Sequence, residues 1–318
     1  MSELLFIKTS SLGDVIHHMP AISELRRHVR QTRVSWLVEE AFAPLVGLHA
    51  GVDMVIPVAA RRWRRLWHRR STWREVGEFA TRLRAQRYDA IIDSQGLFRT
   101  AVMAKLARGE RHGYDAQSVR EPPASLLYDV RHRVERDRHA IERNRTLTAL
   151  ALGYERDHIL DFGLDRARLA ASAKKPYGLL LHATARPAKE WPEQSWIDLG
   201  RALSGRGSEL LLPWGTPGER ARSARIAGAL TNANLPDLAP LDAMAVLIAG
   251  AGFVVGVDTG LLHLAAALAV PLVGIFQASD PGRTGPMGAG PIAMVGGPGK
   301  LPSVREVVAA LARVAPEG

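Results

Sequence analysis

The sequence predicts an α/β protein of two Rossmann-like, doubly wound domains that face each other across a cleft. Three observations carry this. Eight apolar runs of four to six residues recur between helix-length segments, the 318-residue length suits two domains of roughly 150 residues each, and a charged, non-periodic stretch ending in proline lies near mid-chain.

The runs come in order. LLFI (4–7) leads into a Ser/Gly turn and a helix with apolar Val15, Ile16, Met19 and Ile22. VSWLV (34–38), MVIPV (54–58) and AIID (90–93) follow, then GLLLH (178–182), ELLLP (209–213), FVVGV (253–257) and PLVGIF (271–276). Runs apolar on both faces need helices on either side, which makes them buried parallel strands of βαβ units. No repeat of a solenoid or propeller is present. Residues 261–278 carry no charge over a length close to the ~20 residues of a spanning helix. Pro271 splits this run into a Leu/Ala-rich helix and a short strand, so a buried pair is expected rather than a membrane span. The stretch DRARLAASAKKPYG (165–178) reads as a linker with the boundary near 170, giving domains 1–170 and 171–318.

Composition narrows the class. The chain is 47% hydrophobic and lacks cysteine, so it folds without disulfides or thiolate metal sites. Its 42 basic and 32 acidic side chains leave +10, which calls for an anionic partner. Residues 1–170 hold 29 basic and 21 acidic groups against 13 and 11 in the remainder, so the basic surface belongs to the first domain. The start MSELLFIKTSS lacks the parts of a secretory signal, and the cytoplasm is the expected location.

Ligands of doubly wound domains bind at loops following the strand carboxyl ends. In KTSSLGDVIHHMPAI (8–22), Asp14 at the mouth of a helix is either an N-terminal cap or a general base in the cleft, with Gly13 allowing close approach of a ligand. In LLLHATARPAKEWP (179–192), Thr184, Arg186 and Lys189 beside a helix start suit a diphosphate, or form a solvated loop. In FVVGVDTGLLHLAAAL (253–268), Asp258, Thr259 and Gly260 open a helix with His263 one turn in. That combination suits a phosphate, although Asp258 alone reads as a cap and His263 alone as a structural residue. Glu219 in PWGTPGER (213–220) is either a ribose ligand or an acid favoured by the helix dipole. The strip RRWRRLWHRRSTWR (61–74) interleaves seven arginines with Trp63, Trp67 and Trp73 and contains no acid. It suits phosphates, carboxylates, a lipid headgroup layer or nucleic acid, or is a solvated helix face. No metal-holding spacing and no GxSxG elbow occur, which favours metal-free chemistry with no cofactor and disfavours a serine hydrolase.

Taken together, KTSSLGDVIHHMPAI, WLVEEAF, VIPVAARRWRR, YDAIIDSQGLFRTA, HGYDAQSVREP, LLHATARPAKEWP, LPWGTPGE and GVDTGLLHLAAAL resemble the lipopolysaccharide heptosyltransferases of glycosyltransferase family 9, most closely their type I branch, over nearly the whole chain. The resemblance implies a GT-B enzyme that transfers L-glycero-D-manno-heptose from ADP-heptose to the inner Kdo of Kdo2-lipid A. Transfer would proceed with inversion and without a metal, with the enzyme peripheral on the cytoplasmic face of the inner membrane. It also implies roles: Asp14 as general base; Thr184 and Lys189 on the donor diphosphate, Lys189 also aiding the transfer; Glu219 on the ribose; Asp258, Thr259, Gly260 and His263 around the sugar diphosphate. Gly13 would border the donor, and Arg61, Arg62, Arg64, Arg65 and Arg120 would meet the acidic acceptor. Ala185 departs from the family's HATT loop and removes one hydroxyl. Two rivals are a type II heptosyltransferase or other ADP-sugar transferase of this fold, and a nonenzymatic nucleic-acid-binding protein. The latter lacks any RRM, KH or helix-turn-helix signature, so no nucleic-acid partner is expected.

Overall fold

Each of the eight apolar runs becomes a strand in the computed structural model, which describes residues 2–171, 177–203, 209–278 and 281–316. The chain divides into two units, Met1–Gly163 and Leu164–Gly318. The first contains β1 (Ser2–Ile7), β2 (Thr32–Glu39), β3 (Met54–Val58), β4 (Arg87–Asp93), β5 (Arg108–Tyr114) and β6 (Val130–His132). Its helices are α1 (Leu12–Ile16), α2 (Met19–His28), α3 (Ala43–Val46), α4 (Ala60–Arg65), α5 (Arg70–Ala85), α6 (Phe98–Leu106) and α7 (Ala140–Leu152). The second contains β7 (Tyr177–Leu181), β8 (Glu209–Leu211), β9 (Ala233–Asn234), β10 (Phe253–Val257), β11 (Leu272–Phe276) and β12 (Ile292–Gly296). Its helices are α8 (Arg166–Ala170), α9 (Glu193–Leu203), α10 (Pro217–Gly228), α11 (Leu241–Ala249), α12 (Gly260–Ala267), α13 (Pro281–Thr284) and α14 (Val304–Val314).

All strand pairs within the two sheets are parallel, in the orders β3-β2-β1-β4-β5-β6 and β12-β11-β10-β7-β8-β9. Each order reverses once, between β1 and β4 and between β7 and β10, and such a reversal leaves a crevice beyond the strand ends where ligands of this fold class bind. Four strands fall outside the eight apolar runs. β5 reads RGERHGY, β6 and β9 are three and two residues long, and β6, β9 and β12 lie at sheet edges.

The cores follow from the strand pattern. In the second unit Leu180, Val255, Val273 and Ile275 meet Trp191, Trp196, Leu199, Val307 and Leu311 from the surrounding loop and helices. Trp191 and Trp196 are fully buried and meet edge to face at 5.2 Å, a geometry worth ~0.5–1.5 kcal/mol beyond area burial. In the first unit Leu5, Ile7, Leu37 and Ile91 meet Phe79 and Leu83 of α5. The uncharged segment 261–278 forms α12 and β11, divided at Pro271. No helix among the described residues is long and apolar enough to cross a membrane.

The division at 163/164 falls a few residues before the boundary expected near 170. Arg166 of α8 explains where this segment belongs: its guanidinium donates to the carbonyls of Ala249, Ala251 and Ala269, so α8 is fastened to the second unit. Residues 172–176 of the expected linker lie outside the described residues.

Candidate functional site

At the β1/β4 reversal, β1 ends at Ile7 and the chain turns through Lys8, Thr9, Ser10 and Ser11 into α1. Asp14, half-buried on the first turn, accepts from Ser11 N at 2.8 Å and Ser11 Oγ at 3.2 Å. Ser11 rather than Asp14 is thus the N-cap, and Asp14 is its capping-box partner at the third helical position, with its carboxylate at the sheet's carboxyl edge. Gly13 lies beside it in α1. The single helix expected to carry Val15, Ile16, Met19 and Ile22 is broken in two at His17 and His18, with Pro20 in the first turn of α2, where its missing N–H costs nothing.

The loop ahead of Asp14 is held from β4. Asp93 accepts from Gln95 N (2.9 Å) and Gly96 N (3.2 Å), folding DSQG into a turn that Gly96 closes at φ 66, a left-handed backbone that glycine adopts without strain. That turn aims the Gln95 side chain back, where Oε1 accepts from both Thr9 N (3.0 Å) and Ser10 N (3.1 Å). Below it, buried Lys8 donates from Nζ to Ser94 O at 2.9 Å and Asn144 Oδ1 at 3.4 Å, while Asn144 Nδ2 donates to His17 O at 3.0 Å. Burial pushes the Lys8 ammonium pKa down, and the carboxylates of Asp14 and Asp93 oppose that shift. Burial raises the pKa of Asp93, against hydrogen bonds from Tyr128 and Thr100. Gln95, Asn144 and Lys8 are the residues that sequence reading missed. Their partners lie as far as 136 residues away, and no local pattern announces them.

The arginines expected to meet an acidic ligand flank Asp14 along the same edge. α4 follows β3 on one side, and exposed Arg120 follows β5 on the other, tied to the β4 turn through Glu121 N donating to Gly96 O. The expectation of seven uncompensated arginines in the strip is corrected here. Arg62 is gripped by Glu40 and Glu75 at 3.1 and 2.7 Å, and Arg74 lies 3.8 Å from Glu78. These acids lie outside the 61–74 window, Glu40 on a single 3-10 turn after β2 and Glu75 and Glu78 farther along α5. Arg61 lies over the Phe42 ring at 5.3 Å, and its backbone N–H donates to Glu39. Arg64 and Arg65 are exposed, with no carboxylate within 4.0 Å among the described residues. Arg62 is therefore the least available of the four for a ligand.

At the β7/β10 reversal three expected residues come together. The Lys189 ammonium pairs with the Asp258 carboxylate, and Thr184 Oγ1 donates to Asp258 O at 3.2 Å. Asp258 follows β10, Thr259 is the N-cap of α12, Gly260 is its first residue and His263 is buried one turn in. A cation, a hydroxyl and the N-terminus of an eight-residue helix thus converge, a combination that attracts a diphosphate. Lys189 ends a single 3-10 turn, and the helix that follows begins at Glu193. Arg222, also missed, fixes this loop from α10: its guanidinium donates to His182 O (3.3 Å), Trp191 O (2.6 Å) and Glu190 Oε2 (2.9 Å). Burial lowers the pKa of His182, at the loop's start, to about 4, so its ring is neutral while Nε2 and Ser223 Oγ lie 2.6 Å apart. Ala185 and Arg186 are exposed at the loop's crest. Glu219 follows β8, next to β7, and forms a capping box: its Oε2 accepts from Gly215 N (2.7 Å) and Thr216 N (3.2 Å).

Among the described residues one group has metal-ligand spacing, Glu24, His28 and Asp157. Its carboxylates are already engaged: Arg145 chelates Glu24 at 2.7 and 3.1 Å, and Arg27 chelates Asp157 at 2.8 and 3.0 Å. It is a structural ion-pair cluster joining α2 to α7.

A family model for glycosyltransferase family 9 (heptosyltransferase) matches residues 76–309. The chain is 41% identical over 290 residues to lipopolysaccharide heptosyltransferase 1 of Escherichia coli K12, covering 90% of this chain and 91% of that one. The solved E. coli heptosyltransferase WaaC with ADP matches with a TM-score of 0.93 and 37% identity over 98% of this chain and 100% of that one. The same E. coli enzyme with ADP-2-deoxy-2-fluoro heptose matches with a TM-score of 0.89 and 37% identity over 98% and 99%. The expected α/β class and GT-B fold therefore hold, and the chain belongs to glycosyltransferase family 9, the heptosyltransferases of lipopolysaccharide biosynthesis.

Proposed function

We propose that this glycosyltransferase takes ADP-heptose and adds L-glycero-D-manno-heptose to the inner Kdo of Kdo2-lipid A, working at the cytoplasmic face of the inner membrane. The observation that carries the reading is the convergence of Lys189, Thr184 and the α12 N-terminus at one sheet reversal, in a chain of this family. It is supported by the likeness to an enzyme solved with an ADP-heptose analogue.

The acceptor binds the first unit, with Arg61, Arg64, Arg65 and Arg120 meeting the Kdo carboxylates and lipid A phosphates. Asp14 removes the proton of the acceptor hydroxyl as its oxygen attacks the anomeric carbon. The bond to ADP breaks on the opposite face, so the configuration inverts. Charge then builds on the leaving diphosphate. Lys189, the Thr184 hydroxyl and the first N–H groups of α12 stabilise it, a fixed set of positive partners that serves in place of a metal. Glu219 accepts the ribose hydroxyls, and Asp258 and His263 border the sugar diphosphate.

The test measures ADP release from ADP-heptose with Kdo2-lipid A, with a heptosylated Kdo acceptor, and with Kdo2-lipid A in EDTA. Release with Kdo2-lipid A alone, undiminished by EDTA and yielding the inverted anomer, is expected. Turnover only on the heptosylated acceptor would move the enzyme to the next step of the core. Chelator loss restored by Mg²⁺ would overturn the metal-free step.

A further inference from the structure

One surface is not absorbed by that reading. The turn joining α4 to α5 carries Trp67 and the first turn of α5 carries Trp73, at 66% and 63% exposure, whereas Trp63, four residues before Trp67, is tucked against Phe79 with its Nε1 on Glu75. The exposed pair is presented by an ordered turn. Trp73 Nε1 donates to Trp67 O at 2.8 Å, Thr72 Oγ1 to Leu66 O at 2.8 Å, and Arg69 N to Leu66 O at 2.9 Å. Between the two tryptophans in sequence stand exposed Arg69 and Arg70, neither with a carboxylate within 4.0 Å among the described residues.

Two large apolar rings held in water are unfavourable unless something covers them, and the two guanidiniums between them in sequence specify an anionic cover. Tryptophan is enriched at headgroup depth, where its ring meets acyl chains and its N–H stays polar, and basic side chains beside it add attraction to anionic lipid. We propose that the α4–α5 turn and the start of α5 dock this enzyme on the surface of an anionic lipid bilayer, with Trp67 and Trp73 entering the headgroup layer and Arg69 and Arg70 pairing with lipid phosphates. The proposal rests on the reading of a lipid acceptor and adds the face by which the enzyme meets the membrane holding it. A rigid turn of this composition attaches without a spanning helix, in keeping with the short helices of the described chain. α4 connects this turn directly to Arg61, the first of the arginines assigned to the acceptor.

The experiment uses the full chain with phosphatidylglycerol/phosphatidylethanolamine vesicles and neutral phosphatidylcholine vesicles. Wild type should sediment with the anionic vesicles alone, and its tryptophan emission should shift to the blue and be quenched by brominated acyl chains. Trp67→Ser with Trp73→Ser should abolish the quenching, and Arg69→Gln with Arg70→Gln should lower binding roughly tenfold or more. Both variants should match wild type in transfer to a deacylated, water-soluble Kdo acceptor, which reads the chemistry apart from the membrane. Equal sedimentation with both vesicle types would overturn the proposal, as would wild-type binding by both variants. So would variants that lose affinity only for random-sequence RNA. Absence of transfer to the soluble acceptor by wild type would instead sink the functional reading.

Discussion

At the first sheet reversal Asp14 stands on a loop whose backbone is clamped by a neutral amide, Gln95, and whose floor is a buried lysine with two neutral oxygen acceptors. At the second, Lys189 stands on a loop pinned by Arg222, and its charge is met directly by Asp258. The strand order is the same at both places, so topology sets only where the loops emerge. The settings differ in the way the proposed roles require. A base keeps its carboxylate out of an ion pair, and Asp14 is held instead by the Ser11 N–H and hydroxyl. A cation awaiting a diphosphate can rest on a carboxylate until a stronger anion arrives.

This contrast is broken most severely at Asp14. Asp14→Asn keeps an oxygen for the Ser11 N–H and should preserve the fold, while kcat falls ~10²- to 10⁴-fold, the usual worth of a general base. Donor KM should stay near wild type, because the base acts on the acceptor. Wild-type kcat would leave Asp14 as the capping-box partner its contacts with Ser11 already make it.

The Lys189 arm should respond differently in kind. Lys189→Ala removes charge that faces the diphosphate in both ground and transition states, so donor KM should rise and kcat should fall ~10²-fold. Asp258 is left without its ammonium partner, so Lys189→Ala paired with Asp258→Asn should recover stability and none of the rate. Steady-state kinetics with thermal melts of both variants separate these effects. Recovery of rate in the double variant would mean that Lys189 serves only to neutralise Asp258.

How far the molecule could be read from its sequence follows the same physics. Strands buried on both faces announce themselves, and β3 and β10 match the runs MVIPV and FVVGV residue for residue. β5 could not be read that way, because RGERHGY lies one strand from the edge and keeps polar side chains at its exposed start. Gly113 within it is required by packing, since a Cβ there would overlap the Tyr128 ring. Asp14, Lys189 and Asp258 could be singled out as candidates because loops after apolar strands in this fold class carry ligands. Their settings could not be read: Lys189 and Asp258 are 69 residues apart, and Gln95 reaches Thr9 across 86. The strip at 61–74 shows the opposite hazard, because its charge census stops at the window while Glu40 and Glu78 lie outside it.

The smallest effect separates the two meanings of Glu219. Thr216 and Glu219 form one capping box, with Glu219 N donating to Thr216 Oγ1 at 3.2 Å and Glu219 Oε2 accepting from Gly215 and Thr216. Removing either partner should cost about 1 kcal/mol of stability. Thr216→Ala and Glu219→Ala should therefore melt at nearly the same temperature. They should part in donor binding. If the carboxylate also accepts ribose hydroxyls, its loss removes hydrogen bonds to a charged group, worth ~1.5 kcal/mol or about tenfold in affinity. KM for ADP-heptose should rise by that amount in Glu219→Ala and hardly at all in Thr216→Ala. Inhibition by ADP should weaken in parallel, whereas inhibition by inorganic pyrophosphate, which has no ribose, should be equal in the two variants. Equal donor KM values would assign Glu219 to the helix alone, and unequal pyrophosphate inhibition would mean that the loop itself, rather than the ribose contact, had been disturbed.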